Sequence, residues 1–258
     1  MLTTETTTDR SFRELVLEFL FLEEPAYYLP LDMVYIPGGI LQTGKLSANI
    51  RPFYISKFPI TQGQWWAVAG LNMSKSYIAR RPSRYKLDWN YNHKNLHRNI
   101  IDPRYSWENL PVESISWADT VEFCERLSIA TELHYRLPSL TEWLYCYQMG
   151  GQMPRIKDRL YGPFTVDHYP ANALGLHSMG GNVWEWVADN WQEKLSDYPT
   201  DGSSYNAKWR DFERVLLGGC YKINDEPPPF LDGEPCMRGW ANEMTVSKFF
   251  GFRVVITA

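Results

Sequence analysis

The sequence predicts an α+β fold with two or three helices, short strands and much irregular loop. Three observations lead to this prediction. Three helix-like segments begin with a hydroxyl residue that stands three positions before Gln, Asp or Glu. Several short runs of branched and aromatic residues are bounded by Gly or Pro, as strands often are. The 11 Trp, 16 Tyr and 12 Phe also suit a fold with packed loops, because aromatic side chains bury large areas.

Each predicted helix has a start that can be explained physically. The hydroxyl accepts a hydrogen bond from a first-turn amide, while the side chain three positions later reaches back to the chain before the helix. The pairs are Thr61 with Gln64, Ser116 with Asp119, and Ser139 with Glu142. They predict helices over about 62–69, 117–130 and 140–149. Gly70 and Gly150 follow two of these segments, so we expect left-handed caps there.

The remaining elements are short strands and one helix at the N-terminus. The strand-like runs cover residues 33–37, 52–60, 214–219 and 250–258. Apolar residues recur at helical spacing in the first part of the chain, namely Phe12, Leu15, Val16, Phe19 and Leu22. They predict an amphipathic helix over about 11–23. We therefore expect a helical extension over 1–32 and one domain over 33–258.

Composition and charge exclude several classes of protein. A net charge of −4 with 44% hydrophobic residues is typical of a soluble globular protein. The sequence contains no apolar run of the length that a membrane span needs, and its N-terminus does not match a signal peptide. Its four cysteines lie far apart without a CxxC pair, which argues against a disulfide scaffold. We expect a cytoplasmic protein.

Residues 75–104 form a basic segment. It holds eight Lys or Arg side chains and two Asp, with Tyr77, Tyr85, Trp89 and Tyr91 interleaved. Basic and aromatic side chains together can pair phosphates and stack bases. A solvated basic loop on an acidic body is the favoured interpretation, because no nucleic-acid-binding motif accompanies the segment. Binding of a polyanion or nucleic acid remains an alternative.

A series of sequence blocks spans nearly the whole chain. They read MVYIPGG, RPFYISKFPITQGQWWAVAG, LPVESISWADTVEFCERLS, YRLPSLTEWLYCYQMGG, NALGLHSMGGNVWEWVADNW, RVLLGGCY and GFRVV. In this order they resemble the formylglycine-generating-enzyme (sulfatase-modifying factor) domain family. The resemblance implies a variant of the C-type lectin fold, with short twisted strands, two or three helices and extensive irregular backbone.

One branch of that family consists of copper-using oxidases that convert a substrate cysteine to formylglycine. They carry two cysteines shortly after a GGS block, because soft thiolate ligands hold Cu(I). Here Cys220 replaces that Ser, only Cys236 falls near the expected region, and Pro227, Pro228 and Pro229 lie between them. The catalytic pair is missing at its spacing, so the sequence favours a noncatalytic protein and keeps the oxidase as an alternative.

A second branch, the variable proteins of diversity-generating retroelements, uses the fold to display ligand-binding loops. The blocks GGCY (218–221), CMRGWA (236–241) and GFRVV (251–255) resemble its C-terminal variable region. Residues 214–258 would then carry the loops that bind a protein or other large ligand. Aromatic and adaptable polar side chains between the two framework strands suit such contacts. They are Tyr221, Lys222, Asn224, Asp225, Phe230, Asp232, Trp240, Asn242, Glu243, Thr245, Ser247 and Lys248.

The resemblance also implies a calcium ion at the GGNVWEW block, held by Gly181, Val183 and Glu185. Oxygen ligands suit this hard ion. The position that the family usually gives to Asn is Ser178 here, a weaker ligand. The alternative is that Glu185 caps buried amides and that the neighbouring Trp residues are core aromatics. We expect no other cofactor.

Overall fold

The computed structural model describes residues 2–4, 14–19, 30–71, 78–79, 82–84, 107–151, 162–207, 212–221 and 238–257. The helices are α1 (Gln62–Ala69), α2 (Trp117–Thr131) and α3 (Leu140–Met149). The first strands are β1 (Leu2–Thr4), β2 (Glu14–Phe19), β3 (Leu31–Ile36), β4 (Gly39–Thr43), β5 (Leu46–Ile50) and β6 (Phe53–Ser56). The later strands are β7 (Tyr135–Arg136), β8 (Trp184–Asn190), β9 (Glu213–Leu217), β10 (Arg238–Asn242), β11 (Phe250–Phe252) and β12 (Val255–Thr257).

The three predicted helices are confirmed, together with the mechanism of their starts. Thr61, Ser116 and Ser139 each accept a hydrogen bond from the amide three residues later. The side chain of that later residue accepts from the capping residue's own amide, which completes a capping box at all three helices. The helices therefore begin where the sequence predicts.

The prediction of left-handed caps at Gly70 and Gly150 is wrong. Both have right-handed helical backbone, with φ of −77° and −73°. Left-handed backbone lies instead at Glu132, at the end of α2, and at Gly151, one residue after Gly150. Gly150 is needed for a different reason, because a Cβ there would collide with the side-chain amide of Asn172.

Two sheets and a hairpin form the framework. The larger sheet has the order β1-β2-β3-β6-β12-β7, and the second has the order β10-β9-β8-β11. The β4–β5 hairpin was not predicted. The last two strands join both sheets, since β11 pairs in parallel with β8 and β12 lies between β6 and β7. Both fall within the predicted strand at 250–258.

The predicted N-terminal helix over about 11–23 is wrong. Residues Glu14–Phe19 form strand β2, which pairs with β3 in the larger sheet. Its apolar residues satisfy helical spacing, but Leu15, Leu17 and Phe19 also alternate with period two. Pairing with β3 decides between these two patterns. The other residues of the predicted helix lie outside the described part of the chain.

The second sheet lies between two hydrophobic clusters. In β9, Leu216 belongs to the cluster that contains α1 and α2 residues, whereas Val215 and Leu217 belong to the cluster around α3. Burial on both faces removes alternation from these strands. Among the helices of the described residues, none has both the length and the hydropathy needed to cross a bilayer.

Asp189, on β8, accepts hydrogen bonds from the first residue of α3 and from the segment that follows β8. Its two carboxylate oxygens accept hydrogen bonds from the amide of Leu140, at 2.6 Å, and from the amide of Tyr205, at 2.7 Å. Burial raises the pKa of Asp189 to about 7, because desolvation outweighs these two bonds, which lower it. Folding therefore takes up a proton at this carboxyl group between about pH 4 and pH 7.

We expect the contribution of Asp189 to stability to be full below about pH 4 and to be lost as the pH rises through 7. The loss over the whole pH range is on the order of 4 kcal/mol, since the pKa rises from 3.8 to about 7 and a tenfold change in a protonation equilibrium corresponds to about 1.4 kcal/mol. Urea unfolding of the wild type and of Asp189→Asn at pH 5 and pH 8 measures it. The unfolding free energy of the wild type minus that of the variant should be larger at pH 5, and an equal difference at both pH values would contradict the assignment.

Candidate functional site

The candidate ligand face lies at one end of the β9–β10 strand pair. This pair is antiparallel, with Asn242 opposite Glu213 and Trp240 opposite Val215. After β10 the chain turns, and the amide of Thr245 donates to the carbonyl of Asn242 at 2.8 Å. Residues 242–249, which we call the ligand loop, then run beside the start of α2.

Four large apolar side chains are exposed on or near the β9–β10 pair and in the ligand loop. The exposed fractions are 50% for Phe212, 36% for Trp240, 65% for Met244 and 58% for Val246. The amide of Glu243 donates to the carbonyl of Phe212 at 2.6 Å, which places Phe212 beside the first residues of the ligand loop. We define the ligand face as these four side chains. Of the four, only Trp240 is predicted from the sequence, because Phe212, Met244 and Val246 look like ordinary strand or core residues there.

The other predicted contact residues of this region are spread over the ligand loop. Asn242 is exposed, whereas Glu243, Thr245, Ser247 and Lys248 are half-buried. Two of these residues bind the loop's own backbone. The Asn242 side chain accepts from the amide of Met244 at 3.0 Å, and the Ser247 hydroxyl accepts from the amide of Phe249 at 3.3 Å. Those side chains shape the loop, and Met244 and Val246 are its exposed large apolar residues.

Tyr221 does not belong to an exposed surface. Its side chain is 1% exposed and packs against the ring of Phe249, with ring centroids 5.3 Å apart. Its amide donates to the carbonyl of Asn182 at 2.9 Å. The expectation that Tyr221 is an exposed contact is therefore corrected. The remaining candidates lie outside the described residues, and they are Lys222, Asn224, Asp225, Phe230 and Asp232.

A buried arginine stabilises the side chains next to Trp240. Arg238 donates to the carbonyls of Gln192, at 2.6 Å, and Glu193, at 2.8 Å. Its guanidinium lies over the ring of Trp191, 4.2 Å from the centroid, and that ring lies 6.5 Å from the ring of Trp240. Arginine stacked on an aromatic ring is a stabilising contact. Trp240 therefore lies beside a tryptophan ring that Arg238 holds in place.

The residues implied for calcium do not fit the ion. Both oxygens of the buried Glu185 accept from Arg253, with Nε–Oε2 at 2.6 Å and Nη2–Oε1 at 2.7 Å. The indole of Trp143 also donates to Oε2 at 2.6 Å. The carbonyl of Gly181 accepts from the amide of Val183 at 3.0 Å. Glu185 therefore serves a buried ion pair, which leaves this carboxylate no charge for a cation.

The cysteines and other metal-binding residues give no further site in the described residues. Burial raises the pKa of the thiols of Cys124 and Cys146, so neither is a thiolate at neutral pH. Cys220 is half-buried, and Cys236 lies outside the described residues. Within that part of the chain, no three His, Cys, Asp or Glu side chains are grouped so that they could hold a metal ion. Most of the basic segment over 75–104 also lies outside it.

Comparison with known proteins identifies a family. The sulfatase-modifying factor enzyme 1-like domain matches residues 23–162 and 149–258 of the chain. The serine/threonine-protein kinase pkn1 of Chlamydia pneumoniae is 25% identical over 250 residues, which cover 86% of this chain and 37% of the kinase. The formylglycine-generating enzyme of Mus musculus is 30% identical over 141 residues, which cover 44% of this chain and 36% of the enzyme. The chain thus spans little more than a third of these relatives' length.

A solved structure of similar fold is that of variable protein 1 from Treponema denticola. It superposes with a TM-score of 0.66 and covers 100% of this chain and 99% of the solved one, at 16% sequence identity. At this identity the likeness shows the fold alone. The α+β fold of the formylglycine-generating-enzyme type, which is a variant of the C-type lectin fold, is confirmed.

Proposed function

The chain belongs to the sulfatase-modifying factor enzyme 1-like domain family, and we propose that it is a noncatalytic ligand-binding protein. Membership in the family leaves the function open, because one fold can carry several functions. Its ligand face binds a protein or other large ligand. A role as a retroelement-type variable protein in the cytoplasm is part of the same proposal. The likeness in fold to a variable protein supports it.

The observation that carries the proposal is the group of apolar side chains on the ligand face. Phe212, Trp240, Met244 and Val246 are all at least a third exposed, although they lie on or near β9 and β10, which pair along their whole length. Several exposed large apolar side chains within one short stretch of an ordered framework are typical of interaction sites. Binding energy in such sites comes mainly from a few large side chains, of which Trp is among the most effective.

The chemistry of the ligand face favours a polypeptide ligand. Met244 and Val246 offer no hydrogen bonds, and the nearby cation of Arg214 is already paired with Glu243. A polyanion needs unpaired cations, and a carbohydrate needs many polar partners. An apolar patch on another protein needs neither of these.

The test compares capture of proteins from a lysate of the source cells by the immobilised chain and two variants. We expect Met244→Asp combined with Val246→Asp to reduce specific capture by about tenfold or more, because two charges enter an apolar contact. The matched control is Ile129→Asp. Ile129 is 55% exposed on α2, so the control also adds a charge at an exposed apolar position.

Equal capture by the wild type, the double variant and the control would overturn the assignment of the ligand face. Stoichiometric binding of Cu(I) by two thiolates would overturn the noncatalytic assignment and favour the oxidase. The retroelement part has its own test. A near-duplicate of the 3′ coding end beside a reverse transcriptase gene would support it, and a fully sequenced neighbourhood without one would exclude it.

A further inference from the structure

Backbone hydrogen bonds hold the ligand loop to the neighbouring segments of the chain. The amide of Glu243 donates to the carbonyl of Phe212 at 2.6 Å, and the amide of Ser114 donates to the carbonyl of Ser247 at 3.0 Å. The amide of Ala118, in the first turn of α2, donates to the carbonyl of Glu243 at 3.4 Å. Because these are backbone bonds, they remain when most side chains of the loop change.

The side chain of Glu243 bonds to strand β9, so we assign it to holding the loop and not to contacting a ligand. Its Oε2 accepts from Nε and Nη2 of Arg214, at 3.3 and 3.2 Å. The two side chains are 23% and 13% exposed, so this is a half-buried ion pair at the root of the loop. Half-burial makes such a pair less screened than one on the open surface.

Arg214 also contacts the two neighbouring elements. Its guanidinium lies over the ring of Trp117, 3.7 Å from the centroid, and Trp117 is the first residue of α2. Nη1 donates to the carbonyl of Ala188 at 3.3 Å and to the side chain of Asn190 at 3.1 Å, both on β8. The indole of Trp117 donates in turn to the carbonyl of Val187 at 2.8 Å. One side chain on β9 therefore joins β8, α2 and the ligand loop.

We propose that Arg214 is a positioning residue that keeps the ligand loop in one conformation before any ligand arrives. Glu243 then helps to hold the ligand loop in place. Met244 and Val246 are the positions at which side chains can change without moving the backbone of the loop. This inference deepens the proposed function, since it assigns separate residues to holding the loop and to contacting the ligand. A preformed loop loses less conformational entropy on binding.

An arginine is required at position 214 because its contacts need a planar fork. One face stacks on the indole, one edge serves Glu243, and Nη1 reaches the oxygens of β8. A lysine keeps the positive charge but has a single compact ammonium group, which cannot stack and bridge in these directions at once. Arg214→Lys therefore tests the geometry while it preserves the charge.

The experiment is backbone amide hydrogen exchange of the full chain without ligand. In Arg214→Lys we expect exchange at residues 243–250 to accelerate by about tenfold, as for the loss of one charge-assisted hydrogen bond. Exchange in β6 and β12, which lie in the other sheet, should stay within about twofold of the wild type. Glu243→Gln keeps the shape of the side chain but removes its charge, and it should accelerate exchange at the same residues by a smaller factor.

The matched control is Met244→Ser combined with Val246→Ser, which should leave exchange in the ligand loop unchanged. Uniform acceleration in both sheets of Arg214→Lys would show a general structural role and overturn the proposal. Unchanged exchange in both Arg214→Lys and Glu243→Gln would also overturn it. Because no ligand is present, the result is separate from the capture experiment. Equal capture by the wild type and its variants would overturn the proposed function, whereas the positioning role of Arg214 would still stand.

Discussion

Replacing Arg253 with Ala is expected to lower the free energy of unfolding by about 3–5 kcal/mol, because it leaves the carboxylate of Glu185 buried without its cation. Both side chains are fully buried, and Trp143 is the other donor to that carboxylate. Arg253 also donates to the carbonyls of Ser56, at 3.1 Å, and His177, at 2.9 Å. The variant therefore loses an ion pair and also leaves two acceptors on separate segments of the chain without this donor.

Chemical unfolding monitored by tryptophan fluorescence measures this loss. Arg136→Ala is the matched control, since Arg136 also pairs with a glutamate, Glu142, but its side chain is 33% exposed. Glu142 is only 7% exposed, but water can reach the place that the Arg136 guanidinium leaves, so the control should lose less, about 1–2 kcal/mol. If Arg253→Ala were no more destabilised than Arg136→Ala, the buried pair could not be a main support of the fold.

Trp184→Ala is expected to cost about 3–5 kcal/mol of stability, as removal of a large buried aromatic side chain usually does. Trp184 is 2% exposed, belongs to the cluster that contains α1 and α2 residues, and pairs with Phe250 where β8 meets β11. The substitution leaves a cavity between a helical layer and the second sheet. Rigid packing there cannot close it fully.

The comparison variant is Trp240→Ala, at an exposed tryptophan of the same sheet. It should lower the free energy of unfolding by about 1 kcal/mol, well below the loss at Trp184, because Trp240 is already 36% exposed. The same unfolding measurement serves both variants. Equal destabilisation by the two would show that Trp240 is a core residue and would weaken its place on the ligand face.

Local signals in the sequence predicted much of the fold. The capping boxes at Thr61, Ser116 and Ser139 depend on contacts over three residues, so the helix starts followed from the sequence alone. Strand β8 was missed because six of its seven residues are buried and no alternation remains. Strand β2 was taken for a helix, since its apolar residues fit both periods and only pairing with β3 decides between them.

The site was predicted less completely, because exposure is a property of the packed chain. Trp240 and Tyr221 look alike as contact residues in the sequence, yet one is exposed and the other is buried against Phe249. Met244 and Val246 carry no signal of their own and become exposed only because the ligand loop turns at Asn242. Arg214 also gave no signal, since its role depends on Trp117, distant in sequence.

The position of β11 and β12 has a consequence for synthesis of the protein. These two strands follow the other described strands in the sequence, yet one lies at the edge of the second sheet and the other fills an interior place in the larger sheet. Until residues 250–257 have left the ribosome, both sheets lack a strand, and exposed strand edges must be kept from aggregating. A product that terminates before residue 250 would therefore be a substrate for chaperones and proteases rather than a slightly shortened domain.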